Sequence, residues 1–130
     1  MKISIITVVW NNAKTIKDAI NSVLNQSYKD VEYIVIDGAS TDGTIEILQS
    51  YGDKIKFISE KDNGLYDAMN KGIRMATGDV VGILNSDDFY ASDKILQIVA
   101  DEFLKGNIDS VYANLEYIDE KKKKRVIRYW

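Results

Sequence analysis

The sequence of 130 residues contains no cysteine, no histidine and no proline. Without cysteine there is neither a disulfide nor a thiolate metal site, and a cytosolic location is the simplest expectation. Without histidine, a Ser-His-Asp triad, a Cys-His pair and a histidine-ligated zinc site are excluded within this sequence. Acid–base chemistry therefore falls to Asp, Glu, Lys or Tyr. Any metal needs oxygen ligands, which favours Mg²⁺ or Mn²⁺.

Charge and hydropathy exclude further classes. The formal net charge of -3 argues against a nucleic-acid-binding protein, which would be basic overall. No apolar run approaches the length of a membrane span, and the chain opens on a strand-like run rather than a signal peptide. Apolar residues make up 45% and charged residues 28%, a balance typical of a globular domain. We therefore expect one domain over residues 1–130, with the oligomeric state left open.

Short apolar runs alternate with segments of helical periodicity. The runs predict strands at Ile3–Trp10, Val31–Ile36, Ile55–Ser59 and Val80–Leu84. Helices are predicted by the stripe Ile16, Ala19, Ile20, Val23 and Leu24 (after a Thr15–Asp18 capping signal), by Thr44–Ser50, and by Tyr66, Met69, Ile73 and Ala76. This alternation predicts an α/β fold, a Rossmann-like, mostly parallel sheet flanked by helices.

The last third of the sequence is less regular. A helix is predicted from Ser92, and strand-like pieces follow at Asp109–Asn114, Leu115–Asp119 and Val126–Trp130. The basic run Lys121–Arg125 predicts a solvated turn, with contact to phosphate or an anionic membrane surface as the alternative. Because the sequence stops inside a strand-like run, we expect the domain to be truncated at its C-terminus.

Polar loops follow the four predicted strands, and the carboxyl edge of a parallel sheet is where ligands bind. Asp87 and Asp88 come after what we expect to be a central strand, and adjacent carboxylates suit a divalent cation that holds a diphosphate. If extended geometry persists, they point to opposite faces, so one ligates the cation while the other accepts a hydrogen bond from a ribose or sugar hydroxyl. The alternative is an N-cap for a helical turn at Phe89–Tyr90.

Two other acidic residues end strands. Asp37 can accept a hydrogen bond from a nucleobase imide N–H, which would give preference for uracil or thymine. The following Ser40–Thr44 segment is better explained by turn geometry and helix capping. Asp62 is a second candidate for contacting base or ribose, although turn chemistry explains Asp-Asn-Gly equally well.

Four further residues border this edge. Asp67 and Asn70 lie near the start of a helix and share a stripe with Lys71 and Arg74, which also fits an ordinary solvated face. Val8 and Trp10 border the first loop. Trp10 either lines a nucleotide pocket or fills the core, and the second interpretation is favoured.

These motifs, in this order and spacing, resemble family 2 glycosyltransferases with the GT-A nucleotide-sugar-binding fold. The matching stretches are Ile3–Asn12, Ile34–Thr44, Gly64–Gly72, Ala76–Asp79 and Leu84–Asp88. The resemblance extends from the first strand to the end of the sequence. Three positions depart from the family pattern: Asn85 replaces the first Asp of a D-x-D motif, Gly38 replaces a common second Asp, and Met69 replaces an Arg.

The resemblance implies inverting transfer of a sugar from a nucleotide-diphosphate donor to a hydroxyl on a glycan or lipid-linked acceptor. By the same resemblance Asp37 contacts the base of a UDP- or dTDP-linked donor, Asp87 meets ribose or sugar, and Asp88 binds Mg²⁺ or Mn²⁺ bridging the diphosphate. The general base is expected beyond Trp130, so we expect nucleotide binding with little or no transfer. Such enzymes act in polysaccharide or cell-surface glycan synthesis, in the cytoplasm or at the inner membrane face.

Three other classes fit less well. A non-catalytic nucleotide- or metal-binding module would share the donor site. A phosphoacceptor receiver domain needs carboxylates after the first strand, where this sequence has Trp10-Asn11-Asn12. A dinucleotide-dependent oxidoreductase needs a G-x-G-x-x-G turn there, which is also missing from the sequence.

Overall fold

A computed structural model describes residues 1–118 and the backbone of residues 126–129. It divides the chain into two compact units, Met1–Ala100 and Asp101–Trp130. The elements up to the last helix are β1 Ile3–Val9, α1 Ile16–Leu24, β2 Val31–Asp37, α2 Thr44–Ser50, β3 Lys56–Ser59, α3 Leu65–Met75, β4 Val80–Ile83 and α4 Ile95–Leu104. They are followed by β5 Glu116–Ile118 and β6 Val126–Tyr129. The predicted α/β fold is confirmed.

The four strands of the first unit form a parallel sheet in the order β3-β2-β1-β4. The chain therefore moves outward from β1 to β3 and then returns to the other side of β1. The β1/β4 junction is the topological switch point, where open α/β sheets bind ligands. Within the described residues β4 is an edge strand, so the expectation that Asp87 and Asp88 follow a central strand is wrong for this sheet.

The core lies on both faces of β1 and β2, because these strands carry nearly continuous β-branched residues. One face packs α1 against the sheet through Ile16, Ala19, Ile20 and Val23, as the sequence stripe predicts. The other face joins Ile6, Ile34 and Ile36 to Ala68 of α3. Burying a large aliphatic side chain contributes about 1.5–3 kcal/mol, so these two faces account for much of the fold's stability.

The buried face of α3 differs from the predicted stripe. Tyr66 and Ile73 are 78% and 48% exposed, whereas Ala68 and Gly72 are buried. A Cβ added at Gly72 would lie 2.5 Å from Cγ2 of Ile6, so the glycine lets the helix approach β1 closely. Small residues, which hydrophobic periodicity overlooks, therefore form this interface.

Other boundaries also differ from the predictions. The helix α4 begins at Ile95 rather than Ser92, and no strand forms over residues 109–114, where Tyr112 is 93% exposed. The predicted strands at 115–119 and 126–130 correspond to β5 and β6, which pair antiparallel. The Lys121–Arg125 turn lies outside the described residues. In the part of the chain described, no helix has the length and apolar character needed to cross a membrane.

A buried charged network lies toward the amino ends of the strands, away from the polar loops. Glu32 is 5% exposed. Its carboxylate accepts hydrogen bonds from Ser4 Oγ at 2.7 Å, from Lys56 Nζ at 2.6 Å and from the Thr77 N–H at 2.8 Å. Burial raises the pKa of Glu32, but these donors outweigh that effect and lower it to about 2. The network therefore links β1, β2, β3 and the segment before β4.

Candidate functional site

Four polar loops follow the strands at the carboxyl edge of the sheet. We call residues 10–15, 37–43, 60–64 and 85–88 together the rim. Asn11 joins the first two loops: its N–H donates to Ser40 Oγ at 2.8 Å, and its Oδ1 accepts from the Thr41 N–H at 2.7 Å. A third bond runs from the Ala13 N–H to Asp42 Oδ2 at 3.0 Å. The first two loops are therefore fixed to each other.

Ser86 joins the last loop to the first, across the switch point. Asn12 Nδ2 donates to Ser86 Oγ at 3.1 Å, and Thr15 Oγ1 donates to the Ser86 carbonyl oxygen at 2.9 Å. Thr15 is the N-cap residue of α1, as the sequence signal predicts, but its side chain makes no capping hydrogen bond. Its hydroxyl instead positions the loop that carries Asp87 and Asp88.

The acidic pair lies in a turn rather than an extended segment. The Asp88 N–H donates to the Asn85 carbonyl oxygen at 3.1 Å, so the expectation of extended geometry, with the two side chains on opposite faces, is wrong. Both carboxylates are exposed. No helix begins at Phe89, because the next helix starts at Ile95, and the N-cap alternative is therefore not supported.

The environment of Asp88 disfavours its charged form. Partial burial raises the pKa of Asp88, and the negative charge of Asp87 raises it further, while the hydrogen bond from Asn85 Nδ2 at 3.2 Å lowers it. A cation beside the pair would oppose both unfavourable effects.

The donor set at this turn suits a divalent cation only in part. Within residues 1–118 no group of three or more acidic side chains is placed to hold a metal ion. Mg²⁺, however, typically takes one or two protein carboxylates and completes its coordination with phosphate oxygens and water. Asp87 and Asp88 therefore fit a metal that arrives with a diphosphate, as the resemblance implies.

Asp37 lies beneath the rim and is 0% exposed. Its Oδ2 accepts from the Ser40 N–H at 2.9 Å and from Ser59 Oγ at 2.7 Å, and its Oδ1 accepts from Ser40 Oγ at 2.6 Å. Ala39 adopts a φ of 62°, which turns Ser40 back toward the carboxylate. The observed contacts of Asp37 hold the second loop and β3 together. Its proposed contact with a base stays a prediction.

Asp62, Gly38 and Trp10 meet on the rim. A Cβ added at Gly38 would lie 3.2 Å from Asp62 Oδ2 and 3.4 Å from Trp10 Cδ1. Trp10 is 67% exposed, so the favoured interpretation of it as a core residue is wrong. Its ring therefore forms part of an open surface next to a partly buried carboxylate.

Lys71 is the partner of Asp62. Its Nζ donates to Asp62 Oδ1 and lies 3.0 Å from Glu60 Oε1 and 3.8 Å from Asp67 Oδ2. The hydrogen bonds to Asp62 and Glu60 raise the pKa of Lys71, so it stays charged. Sequence reasoning placed Lys71 only in a solvated stripe. The i, i+4 spacing from Asp67 was visible in the sequence, but the return of the β3 loop was not.

The remaining predicted residues are Asp67, Asn70 and Val8. Asp67 accepts a hydrogen bond from the Asn63 N–H at 2.9 Å and so stabilises the start of α3. Asn70 is exposed on α3. Val8 lies within β1 and packs partly against the Ile6, Ile34 and Ile36 cluster. Their roles in substrate binding stay predictions.

Comparisons with known proteins identify the family. Residues 4–130 match the family model described as Glycosyl transferase family 2. An uncharacterized glycosyltransferase of Rickettsia conorii is 40% identical over 122 residues, which cover 92% of this chain and 20% of the relative. Chondroitin synthase of Escherichia coli is 36% identical over 121 residues, covering 90% of this chain and 18% of the relative. The chain thus spans about a fifth of the length of these two relatives.

Solved structures share the fold. TarS of S. aureus, crystallised in complex with UDP-GlcNAc, has a TM-score of 0.72 and 27% identity, over 81% of this chain and 32% of that one. The mannosyltransferase PcManGT of Pyrobaculum calidifontis has a TM-score of 0.73 at 24% identity, over 78% of this chain and 32% of that one. Both comparisons cover most of this chain and about a third of the solved protein.

Proposed function

The chain belongs to glycosyl transferase family 2 and has the GT-A fold, and from this premise we propose that it binds the UDP-linked donor of a sugar-transfer reaction. The family resemblance stated from the sequence is confirmed. The donor, the acceptor and the stereochemistry belong to the proposal, as does dependence on a divalent metal. The likeness to TarS, whose crystal structure holds UDP-GlcNAc, supports a uridine donor.

One observation carries the proposal: the Asp87–Asp88 turn is fastened to the β1 loop at the switch point. Ser86 receives hydrogen bonds from Asn12 and Thr15, so the turn opens where the strand order reverses. That crevice is the expected place for a nucleotide in an open α/β sheet. The exposed carboxylates of Asp87 and Asp88 beside it would bind the diphosphate of the donor through a divalent cation.

In the proposed reaction, an acceptor hydroxyl gives up its proton to a general base and attacks the anomeric carbon, the bond from that carbon to the diphosphate oxygen breaks, and the nucleoside diphosphate leaves with inversion at the anomeric carbon. A divalent cation would neutralise charge on the departing diphosphate, an effect worth several kcal/mol. Asp88 would hold that cation, and Asp87 would contribute a second oxygen or meet the ribose or sugar. The hydrogen bonds of Asn11, Asn12 and Thr15 fix the loops to one another, so these loops would present a preformed surface to the nucleotide.

The test is a thermal-shift screen of UDP, UDP-sugars and GDP-mannose, each with and without Mn²⁺. We expect stabilisation by UDP compounds that depends on Mn²⁺, about 2.7 kcal/mol when the ligand is at 100 times its Kd. In Asp88→Asn this Mn²⁺-dependent stabilisation should disappear while the unliganded protein stays folded. Asp53→Asn is the matched control: Asp53 is also exposed, but it precedes β3 and lies outside the rim.

Retention of Mn²⁺-dependent UDP stabilisation by Asp88→Asn would remove Asp88 from the site. A donor-consumption assay then tests for transfer. Release of UDP from a UDP-sugar in the presence of acceptor shows that this chain is an enzyme and overturns the expectation of little or no transfer. Binding without release agrees with that expectation and equally with a non-catalytic nucleotide-binding role.

A further inference from the structure

We propose that the Asp62 carboxylate, held beside Gly38 by Lys71, is the group that recognises the nucleobase, and that its geometry favours uracil. The inference rests on the proposed function, because it concerns the nucleotide of the same donor. From the sequence, Asp37 was the favoured base contact, and Asp62 was explained equally well as a turn residue. We now assign base recognition to Asp62 instead of Asp37.

The first step is that Asp37 is not accessible to a base. Its side chain is 0% exposed, and its two oxygens already accept three hydrogen bonds from Ser40 and Ser59. A base could reach it only if one of these buried bonds broke. Leaving a buried donor without its partner costs about 1–3 kcal/mol, which would oppose binding.

The second step is the space at Gly38. A side chain there would begin 3.2 Å from Asp62 Oδ2 and 3.4 Å from the Trp10 ring, so the glycine leaves this space clear and Asp62 Oδ2 borders it. Trp10, exposed at 67%, offers an aromatic ring at the same place. A flat base lying against that ring would bring its polar edge toward Asp62.

The third step concerns how Lys71 holds the Asp62 carboxylate. Lys71 donates to Asp62 Oδ1 and is itself only 15% exposed, so the pair is partly shielded from water. Among the described residues, Lys71 is the hydrogen-bond donor to Asp62, and Oδ2 is the oxygen that faces Gly38. One acceptor oxygen is therefore presented to the ligand in a fixed position.

One fixed acceptor discriminates between bases. Uracil presents a single imide N3–H, which can donate a hydrogen bond to Asp62 Oδ2. Cytosine presents an unprotonated N3 at that position, which would repel the carboxylate, so only its neighbouring N4–H₂ group could donate. Guanine presents two adjacent donors, N1–H and N2–H, which match a carboxylate best when both of its oxygens are available, and Lys71 occupies one of them. Lys71 is thus a positioning residue that acts through Asp62.

The experiment measures the Kd of UDP, CDP and GDP by calorimetry with Mn²⁺, on the wild-type chain and on variants. Asp62→Asn replaces the acceptor with an amide that can also donate to cytosine N3. We expect UDP affinity to fall at least 10-fold and the ratio of CDP to UDP affinity to rise by a similar factor. Lys71→Met should raise the ratio of GDP to UDP affinity, because it frees the second carboxylate oxygen.

Two further variants separate base recognition from loop stability. Glu60→Gln alters another carboxylate that contacts Lys71. Since the side chains nearest the Gly38 Cβ position are those of Asp62 and Trp10, the base preference of this variant should equal that of the wild type. Gly38→Ala adds a methyl group against Asp62 and Trp10 without backbone strain, so UDP affinity should fall. Circular dichroism establishes that each variant is folded.

The outcomes are distinguishable. If the wild type prefers UDP and Asp62→Asn removes that preference while Glu60→Gln keeps it, the inference is supported. If Asp62→Asn or Gly38→Ala retains the wild-type affinity and preference, base recognition by Asp62 is overturned while the proposed donor binding stands. If the wild type binds none of the three nucleotides, the proposed function fails and this inference fails with it.

Discussion

Glu32 offers a quantitative test of how this fold is held together, because its carboxylate is buried and still charged. Its pKa is lowered from 4.5 to about 2, since the donors Lys56, Thr77 and Ser4 outweigh the penalty of burial. At 1.36 kcal/mol per pKa unit, this difference corresponds to about 3 kcal/mol of stability at neutral pH. Because the folded-state pKa is the lower one, this stability is present above about pH 4.5 and is lost as the pH falls toward 2.

Glu32→Gln should therefore lower the free energy of unfolding by about 3 kcal/mol at pH 7. The neutral amide does not attract Lys56. With its oxygen toward the Ser4 hydroxyl and the Thr77 N–H, its NH₂ group would face the Lys56 ammonium, and both groups are donors. Removing one partner of a buried charge pair typically costs 3–5 kcal/mol. We expect the lower end of that range, because the Lys56 side chain is 60% exposed and can be solvated.

Urea unfolding followed by circular dichroism between pH 7 and pH 2.5 measures the effect. The difference between wild type and Glu32→Gln should shrink as the pH approaches 2.5, because below about pH 4.5 Glu32 is protonated in the unfolded chain before it is protonated in the folded one. Asp30→Asn is the control: Asp30 is 60% exposed and 3.8 Å from the terminal amine, so it should change stability by less than about 1 kcal/mol. A Glu32→Gln effect that is the same at pH 7 and pH 2.5 would refute the reasoning.

Two further predictions concern packing and the rim. Gly72→Ala should destabilise the protein by about 1–3 kcal/mol in urea unfolding, despite alanine's better helix propensity, because its Cβ would lie 2.5 Å from Ile6. In an Ile6→Ala background the same change should cost nothing, and an unchanged cost there would contradict the clash. Ser40→Ala should cost about 2 kcal/mol and Ser59→Ala about 1 kcal/mol, since the buried Ser40 hydroxyl makes two hydrogen bonds and the exposed Ser59 hydroxyl makes one. The reverse order in urea unfolding would contradict the assignment of Ser40 as the main support of Asp37.

The sequence predicted correctly those strands and helix faces that are determined by one dominant interaction, the burial of large aliphatic side chains. The strands β1 and β2 were located to within one residue, because a β-branched run buried on both faces has few alternatives. The α1 face was also predicted, since its large aliphatic residues recur with helical period. In α3 the same logic selected Tyr66 and Ile73, which are exposed, because the contact with β1 is made by residues too small to register as hydrophobic.

The candidate site was predictable as a set of loops but not as a set of contacts. Parallel topology places all four loops at one edge, and that could be derived from the order of strands. The enclosure of Asp37 and the pairing of Asp62 with Lys71 depend on how separate loops meet in three dimensions. The exposure of Trp10 could not be derived from the sequence either, because an apolar residue at the end of a strand can be buried or exposed.

The bonds that Asn11 and Ser86 make between loops have a consequence for the entropy of ligand capture. Segments tied together in advance lose little conformational freedom when a ligand arrives, so more of the contact energy appears as affinity. The same ties couple the loops mechanically: a displacement at Thr41 would pull on Asn11, and through the neighbouring Asn12 on Ser86. Substitutions at these uncharged side chains would therefore shift the turn that carries Asp87 and Asp88, although none of the side chains is proposed to touch a ligand.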